Sequence, residues 1–498
     1  MNISIDSLSI FQSLLILLLT LIVLYLGKVW LSYRFFKTRG LKTPKYEFFF
    51  GNFRELMSTN NYSEILQKWT KTYGKTFGYY EGHHPVIVTS DLDFIQQVFV
   101  KQASNFNARK KAFIGPEEGP DSSLFESTKG RWKRMRMVMN PTFSSSKLRE
   151  LGPLIDTCAD RLIDRLNKAD NTEIAVSDFY KRFTMDSIWN CAFGVDTNIQ
   201  YEKENEYFTK CESIFRNLDI TLPGYLGAYF HEFKRYILKI LMFLNSIFSK
   251  FIDQKSIFAY FWLKDKVSEL VIMHHRVQKK DYIQLLLDAQ IDQENFNYTQ
   301  VSRSLTIPEI QSNLVIFMLA GYETTSTTLT YATYVLATHL EEQIKLYEEI
   351  KAADENLPYL DNFIKEVLRM YPIANSVIAR RCTEATCING IDIPEDVSVV
   401  VDVLSLHYDV DLWGPVDPNV FYPERHEVKR NPLCFMSFGN GPRNCIGMKF
   451  AMKELRMALV KLLSNFEILQ SDETKLEISE LTVRAPKNHV KVIFKKRN

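Results

Sequence analysis

The chain lacks a charge excess: 61 basic and 59 acidic residues leave a formal charge of +2 over 498 residues, which argues against nucleic-acid binding and against an acidic tail. It also lacks a disulfide framework. Seven cysteines, an odd number at irregular spacing, do not make the pattern of a secreted scaffold. Cys382 and Cys387 stand without the second pair or the histidines that a zinc site needs, so a reducing compartment fits. Low-complexity segments and repeats at solenoid or propeller periods are missing too, and the 19 glycines and 17 prolines are scattered rather than gathered into a linker. Length alone suggests two or three domains, but nothing in the composition divides the chain.

Charge is absent again from Ser7 to Gly27, where Leu14 to Leu26 is almost continuously apolar. Such a stretch, about 30 Å long as a helix, just crosses a bilayer core. A buried helix or a cleaved signal peptide are the alternatives. A signal peptide needs a positive N-terminal region and a small-x-small site, and neither is there; Lys28, Arg34, Lys37 and Arg39 lie on the far side instead. Residues 1–27 therefore read as an uncleaved signal anchor, 28–45 as a linker and 46–498 as one domain. The positive-inside rule places everything after Lys28 in the cytosol. With Pro44 alone in the linker, the hinge is weak.

What the sequence does contain is FGNGPRNCIG, Phe438 to Gly447, directly before an apolar run at helical spacing from Met448 to Leu463. A cysteine where a loop feeds a helix start meets unpaired backbone N–H groups and the positive end of the helix dipole, both of which favour thiolate. Glycines there suit a loop pressed against a large planar group. Most lone cysteines are inert buried hydrophobes; the neighbours set Cys445 apart. Phe438, Gly441, Arg443, Cys445 and Gly447 fill the pattern F-x-x-G-x-R-x-C-x-G, which resembles the haem-binding loop of cytochrome P-450 monooxygenases, whose haem iron is held by a cysteine thiolate.

The resemblance implies a mainly α fold with small β-sheets, one large catalytic domain behind the membrane anchor. It implies haem b with Cys445 as axial ligand and electrons from NADPH delivered through NADPH-cytochrome P-450 reductase, with cytochrome b5 as a further donor. It also implies a place on the cytosolic face of the endoplasmic reticulum membrane and a lipophilic small-molecule substrate such as a steroid, fatty acid or xenobiotic. Lys133, Arg134 and Lys449 are candidates for the positive docking face.

Other motifs follow in the order the resemblance requires. Trp132 and Arg136, four apart on one helix face, are in an unknown protein more often an aromatic under a guanidinium; in the family both contact a haem propionate. Arg109 matches another basic position of that kind, and Arg380 a third, with Arg381 as its rival. The stretch from Ile307 to Leu340 reads as one long helix starting near Pro308. Its centre, Ala320-Gly321 and Glu323-Thr324-Thr325, sets glycine, acid and hydroxyls in a buried interior. Hydroxyls that bond back to the i−4 carbonyl explain one of these residues but not the group. The group resembles the distal motif in which small residues leave room over the iron, Thr324 holds water and Glu323 feeds protons to dioxygen. Ile316, Leu319, Ala320, Ile373 and Ala374 are the pocket candidates by family position, all apolar.

Glu366 and Arg369 look like a surface helix pair until Arg425 in FYPERH completes the family's E-x-x-R and P-E-R network behind the haem loop. Two departures stand out: the connection EEIKAADENLPYLDNF is short, and His426 replaces the usual aromatic. Strands are expected at 76–80, 85–89, 397–403 and 482–494, with a helix over 91–100 capped by Asp91. Tyr236 to Leu263 is apolar and aromatic, suggesting a helix at the membrane interface with Phe258, Phe261 and Trp262 facing lipid. A thiolate-haem isomerase or dehydratase, and a non-catalytic haem-binding membrane protein, are the alternatives; the first tends to lose the acid–threonine pair kept here.

Overall fold

The computed structural model describes the chain apart from residues 1–2, 111–117, 170–171, 203, 217–226, 228, 234–235, 238, 241–254, 275–281, 290–303, 353–355, 481–482 and 498. Its first element is α1 (Ile3–Ser32), within which Ile10–Ser32 is 23 residues of mean hydropathy 2.5, long and apolar enough to cross a membrane. At 1.5 Å per residue that is about 35 Å. Almost all of this face is exposed until the last turns, where Val29 is buried with Tyr33, Phe36 and Tyr80. The segment 28–45, read from the sequence as a linker, is therefore packed rather than loose. It holds α2 (Phe35–Thr38), Phe36 is in the core, and Arg39 donates to the Asp392 carbonyl at 2.7 Å. Apolar side chains at 29, 33 and 36, not proline, fix its path.

A four-stranded sheet joins β1 (Thr76–Glu81) and β2 (His84–Thr89), antiparallel, to β3 (Ala379–Arg381) and β4 (Ser398–Val401), in the order β1-β2-β4-β3. The parallel β2–β4 pair brings two distant parts of the chain together, which alternation within either strand cannot announce. Asp91 caps the following helix by accepting from the Phe94 N–H, but that helix is α only over Leu92–Gln96 and continues as a π turn to Lys101. Further strands lie toward the C-terminus, including the short pair Ile478–Glu480 and Arg484–Pro486 and the six-residue strand Lys491–Lys496.

Helices carry the rest: α3 (Lys129–Met139), α4 (Val176–Phe193), α5 (Glu206–Arg216), α6 (Lys255–His274), α7 (Ile307–Thr338), α8 (Pro358–Met370) and α9 (Met448–Asn465). The long α7 is buried along most of its 32 residues and packs against α4, α6, α8 and α9, so its polar centre sits in the middle of the main core. Its start is fixed by a capping box: Thr306 accepts from the Glu309 N–H, and the Glu309 carboxylate accepts from the Thr306 N–H at 3.0 Å.

Of the segment expected at the membrane interface, most of 236–254 and the side chains of Phe258 and Phe261 lie outside the described residues. Where α6 is described, it turns inward. Ala259 and Leu263 are buried, and the half-buried Trp262 lays its ring 5.2 Å from that of Tyr207 on α5.

Candidate functional site

Cys445 lies just ahead of α9, whose N-cap is Gly447. Its backbone N–H donates to the Phe438 carbonyl at 2.8 Å, closing the loop on itself. Gly439 and Gly441 take positive φ of 66° and 70°. A Cβ on Gly441 would collide with the Phe99 carbonyl, so only glycine fits this close approach. Cys445 is exposed although protein packs closely around it. Burial pushes the thiol up, while the backbone N–H groups of Gly447 and Met448 and the charges of Arg109 and Arg136 favour thiolate.

Those arginines belong to a cluster. Arg380 is buried, stands 4.3 Å over the Phe99 ring and donates to the Asn440 carbonyl at 3.1 Å. Arg109 donates to the Val377 carbonyl at 2.8 Å, and Arg443 to the carbonyls of Ser127 and Phe125 at 2.8 and 3.1 Å. Arg136 donates to Asn444 at 2.8 Å through both its carbonyl and its side chain. None of the four makes an ion pair with a carboxylate among the described residues, and the Nε atoms of Arg109 and Arg443 are buried without a partner. Burial first, then mutual repulsion, disfavours the charge on Arg443 and Arg380. A nest of uncompensated guanidinium groups around a thiol is a site for a dianionic group with a soft-ligand metal. A haem, with two propionates and an iron, fits this donor set.

Trp132 stacks under a guanidinium, but under Arg443, 5.0 Å away, rather than under its helix neighbour Arg136. Arg381 turns elsewhere and pairs with Asp396 at 2.8 Å, which leaves Arg380 as the member that reaches the cluster; alternation along β3 separates the two. Arg134, expected on a positive docking face, is instead buried against Glu309, with Nη1 3.0 Å from its carboxylate. It ties α3 to the start of α7, while Lys133 and Lys449 are exposed.

On α7, Ile316, Ala320 and Thr324 recur every fourth residue and are partly or fully open, whereas Val315, Met318, Tyr322, Glu323 and Thr325 are buried. Leu319 and Ile373 lie in the core rather than on that open face, at 8% and 5% exposure. For Leu319 the reason is rotation, since each helical residue turns about 100°; Ala374 is half-buried beside Ile373. The space at Gly321 is used by α4, because a Cβ there would lie 2.9 Å from Ile188 Cδ1. Ala320, not Gly321, is the small residue on the open side.

The hydroxyls behave more simply than the motif suggested. Thr324, Ser326, Thr328 and Thr330 all bond back to i−4 carbonyls, Thr324 to Ala320 at 2.8 Å. Within the group Glu323-Thr324-Thr325 back-bonding accounts for Thr324 alone, as expected, and it recurs further along α7 at Ser326, Thr328 and Thr330. Glu323 faces α4, where the Lys181 ammonium lies 3.1 Å from its carboxylate. Sequence reasoning missed Lys181, and only the helix crossing brings it to Glu323.

Behind the loop, Glu366 is fully buried and accepts from Arg369 at 2.7 and 2.8 Å and from Arg425 at 2.8 Å. The remaining N–H groups of both arginines reach carbonyls, including His407 and Trp413 at 2.7 Å each. Burial raises the Glu366 carboxyl, but hydrogen bonds from Arg369 and His426 and the two guanidinium charges outweigh it and bring it to about 2. His407, a further residue missed from the sequence, bridges this frame to the loop. Its Nδ1 lies 2.9 Å from the Arg369 carbonyl and its Nε2 accepts from the Met436 N–H at 2.9 Å. That pairing requires the neutral ring, and burial lowers its affinity for a second proton to about 3.

Comparison with known proteins agrees with this geometry. The cytochrome P450 family matches residues 41–494. The chain is 31% identical to cytochrome P450 3A29 of Sus scrofa over 93% of its own length and 92% of that protein's. It is 33% identical to cytochrome P450 3A31 of Mesocricetus auratus over 93% and 91%, and 31% identical to the putative cytochrome P450 CYP13A3 of Caenorhabditis elegans over 96% and 98%.

Proposed function

Because the chain belongs to the cytochrome P450 family and is a monooxygenase of that kind, we propose that it inserts one oxygen atom into a lipophilic small molecule, a steroid, fatty acid or xenobiotic. Its electrons would come from NADPH through a membrane-bound reductase. Residues 1–27 anchor it in the endoplasmic reticulum membrane with the domain in the cytosol. The carrying observation is the exposed Cys445 just ahead of α9, flanked by the buried Arg380 and Arg443 and the half-buried Arg109 and Arg136, none with a carboxylate partner among the described residues.

In this reading Cys445, held by the Phe438–Gly447 loop, would ligate the haem iron as a thiolate, and Arg109, Arg136, Arg380, Arg443 and Trp132 would hold the acidic edge of the group. The haem supplies dioxygen activation, which no side chain can. Ile316, Ala320 and Ala374 give the substrate an apolar wall. Thr324, on the open face of α7, positions a water there by releasing its bond to the Ala320 carbonyl. Glu323, which Lys181 holds away from that face, would reload the water only after its carboxyl has left the ammonium and taken up a proton from solvent. Lys133 and Lys449 offer exposed positive charge to a reductase.

A carbon monoxide difference spectrum of the reduced protein, followed by turnover with NADPH and purified reductase, tests the proposal. A thiolate-type band with NADPH-dependent product is expected. A histidine-type band would remove Cys445 as ligand, and a thiolate band without reductase-dependent turnover would favour an isomerase.

A further inference from the structure

We infer that His426 is a fourth working member of the Glu366 network, a positioning residue whose neutral imidazole holds Glu366 and Phe435 in register and makes haem retention in this chain sensitive to acid. The functional half of this inference rests on the haem-binding reading above.

The geometry carries it. Glu366 has no solvent exposure, and its Oε1 accepts from Arg369 Nη2, from Arg425 Nε at 2.8 Å and from the Tyr422 N–H at 3.1 Å. Its Oε2 has two donors, Arg369 Nε at 2.7 Å and His426 Nε2 at 3.0 Å. A carboxylate only accepts, so His426 carries its proton on Nε2. Without the ring, half of the carboxylate would keep a single partner in a place water does not reach. The ring is wedged edge-on between Trp413, 5.4 Å away, and Phe435, 6.1 Å away. Phe435 in turn lies flat on His407 at 5.7 Å, and His407 receives the Met436 N–H at 2.9 Å. Phe435 and Met436 lead directly into Phe438–Gly447, so the loop that carries Cys445 is braced against His426 through one aromatic ring.

Charge makes the neutral form the working one. Glu366 supplies one negative charge against Arg369 and Arg425, Lys365 stands on the same helix, and His407 faces the group as a neutral ring. Burial disfavours protonation of His426, as do Arg369 and Lys365, and together they outweigh the hydrogen bond to Glu366 and its charge. The folded protein thus binds this proton less well than the unfolded chain, whose histidines titrate near ~6.5. The stability tied to neutral His426 is present above that value and is lost as pH falls below it.

The test uses the full-length, detergent-solubilised holoprotein and the variants His426→Phe and His426→Gln. Haem retention against apomyoglobin is followed from neutral pH into acid, with thermal unfolding recorded at each pH. His426→Phe should keep haem about ten-fold less well at neutral pH, because a hydrogen bond to a buried charge is gone, and its retention should depend less on pH. His426→Gln, whose amide still donates, should retain haem like the parent at neutral pH but lose less of it on acidification. Equal retention and equal acid dependence in all three proteins would overturn the inference. If the parent took up no haem, the functional reading would fall, while the pH dependence of unfolding would still decide whether His426 belongs to the network.

Discussion

Two groups of arginines in this chain treat their charge oppositely. Around Glu366, Arg369 and Arg425 share a carboxylate, and their other N–H groups end on carbonyls. Around Cys445, Arg109, Arg136, Arg380 and Arg443 gather with no ion-paired carboxylate among the described residues, and two of their Nε atoms have no partner at all. A buried polar network that is complete belongs to the framework. One that is incomplete by a matched amount of charge and hydrogen bonding is waiting for a ligand. The same residue type has two meanings, and the partners decide which.

Substitutions should separate the two. The largest effect is expected at Glu366→Ala, which leaves two buried guanidinium groups without their anion at a cost of about 3–5 kcal/mol; the measurement is the yield of holoprotein, and normal haem incorporation would break the comparison. Acid probes the same point. The Glu366 carboxyl sits at about 2 against an ordinary 4.5, so its contribution, about 3 kcal/mol, is present above the ordinary value and lost as pH falls toward 2. Arg380→Met should go the other way in the apoprotein, raising its stability by about 1–3 kcal/mol through relief of an unpaired buried charge, while weakening haem affinity roughly ten-fold. Urea unfolding of apoprotein and haem titration read the two halves, and destabilisation of the apoprotein would place Arg380 in the framework.

Smaller effects sharpen the picture on α7. Gly321→Ala puts a methyl group 2.9 Å from Ile188 Cδ1 and should cost about 1 kcal/mol in thermal unfolding without altering the carbon monoxide spectrum. Thr324→Ala should change stability by less than about 0.5 kcal/mol, as its hydroxyl bonds only its own helix. In turnover assays it should divert electrons from product to hydrogen peroxide. Unchanged coupling would remove Thr324 from the proton path.

The cysteine loop was legible because its constraints are local: a cap, two left-handed glycines and a helix start lie within ten residues. Glu366, Arg369 and Arg425 could be named for their pattern, though nothing in the chain says they are buried. His407, Lys181 and the Arg134–Glu309 pair were not legible, since each depends on which residue of a distant helix lies opposite. Gly321 shows the limit most plainly. The sequence says that a small residue is needed; the packing says that α4 needs it.

By itself the sequence determined a thiol at a helix start and an apolar N-terminal helix of membrane-crossing length, because capping and hydropathy act over a few residues; the arginines could be named only through the family's pattern. Only the tertiary structure decided which arginines stay unpaired, that 28–45 is packed, that Trp132 lies under Arg443, and that Glu323 is held by Lys181. Those are questions of who meets whom across elements, and burial makes the answer matter, since a charge away from water is governed by its few nearest partners.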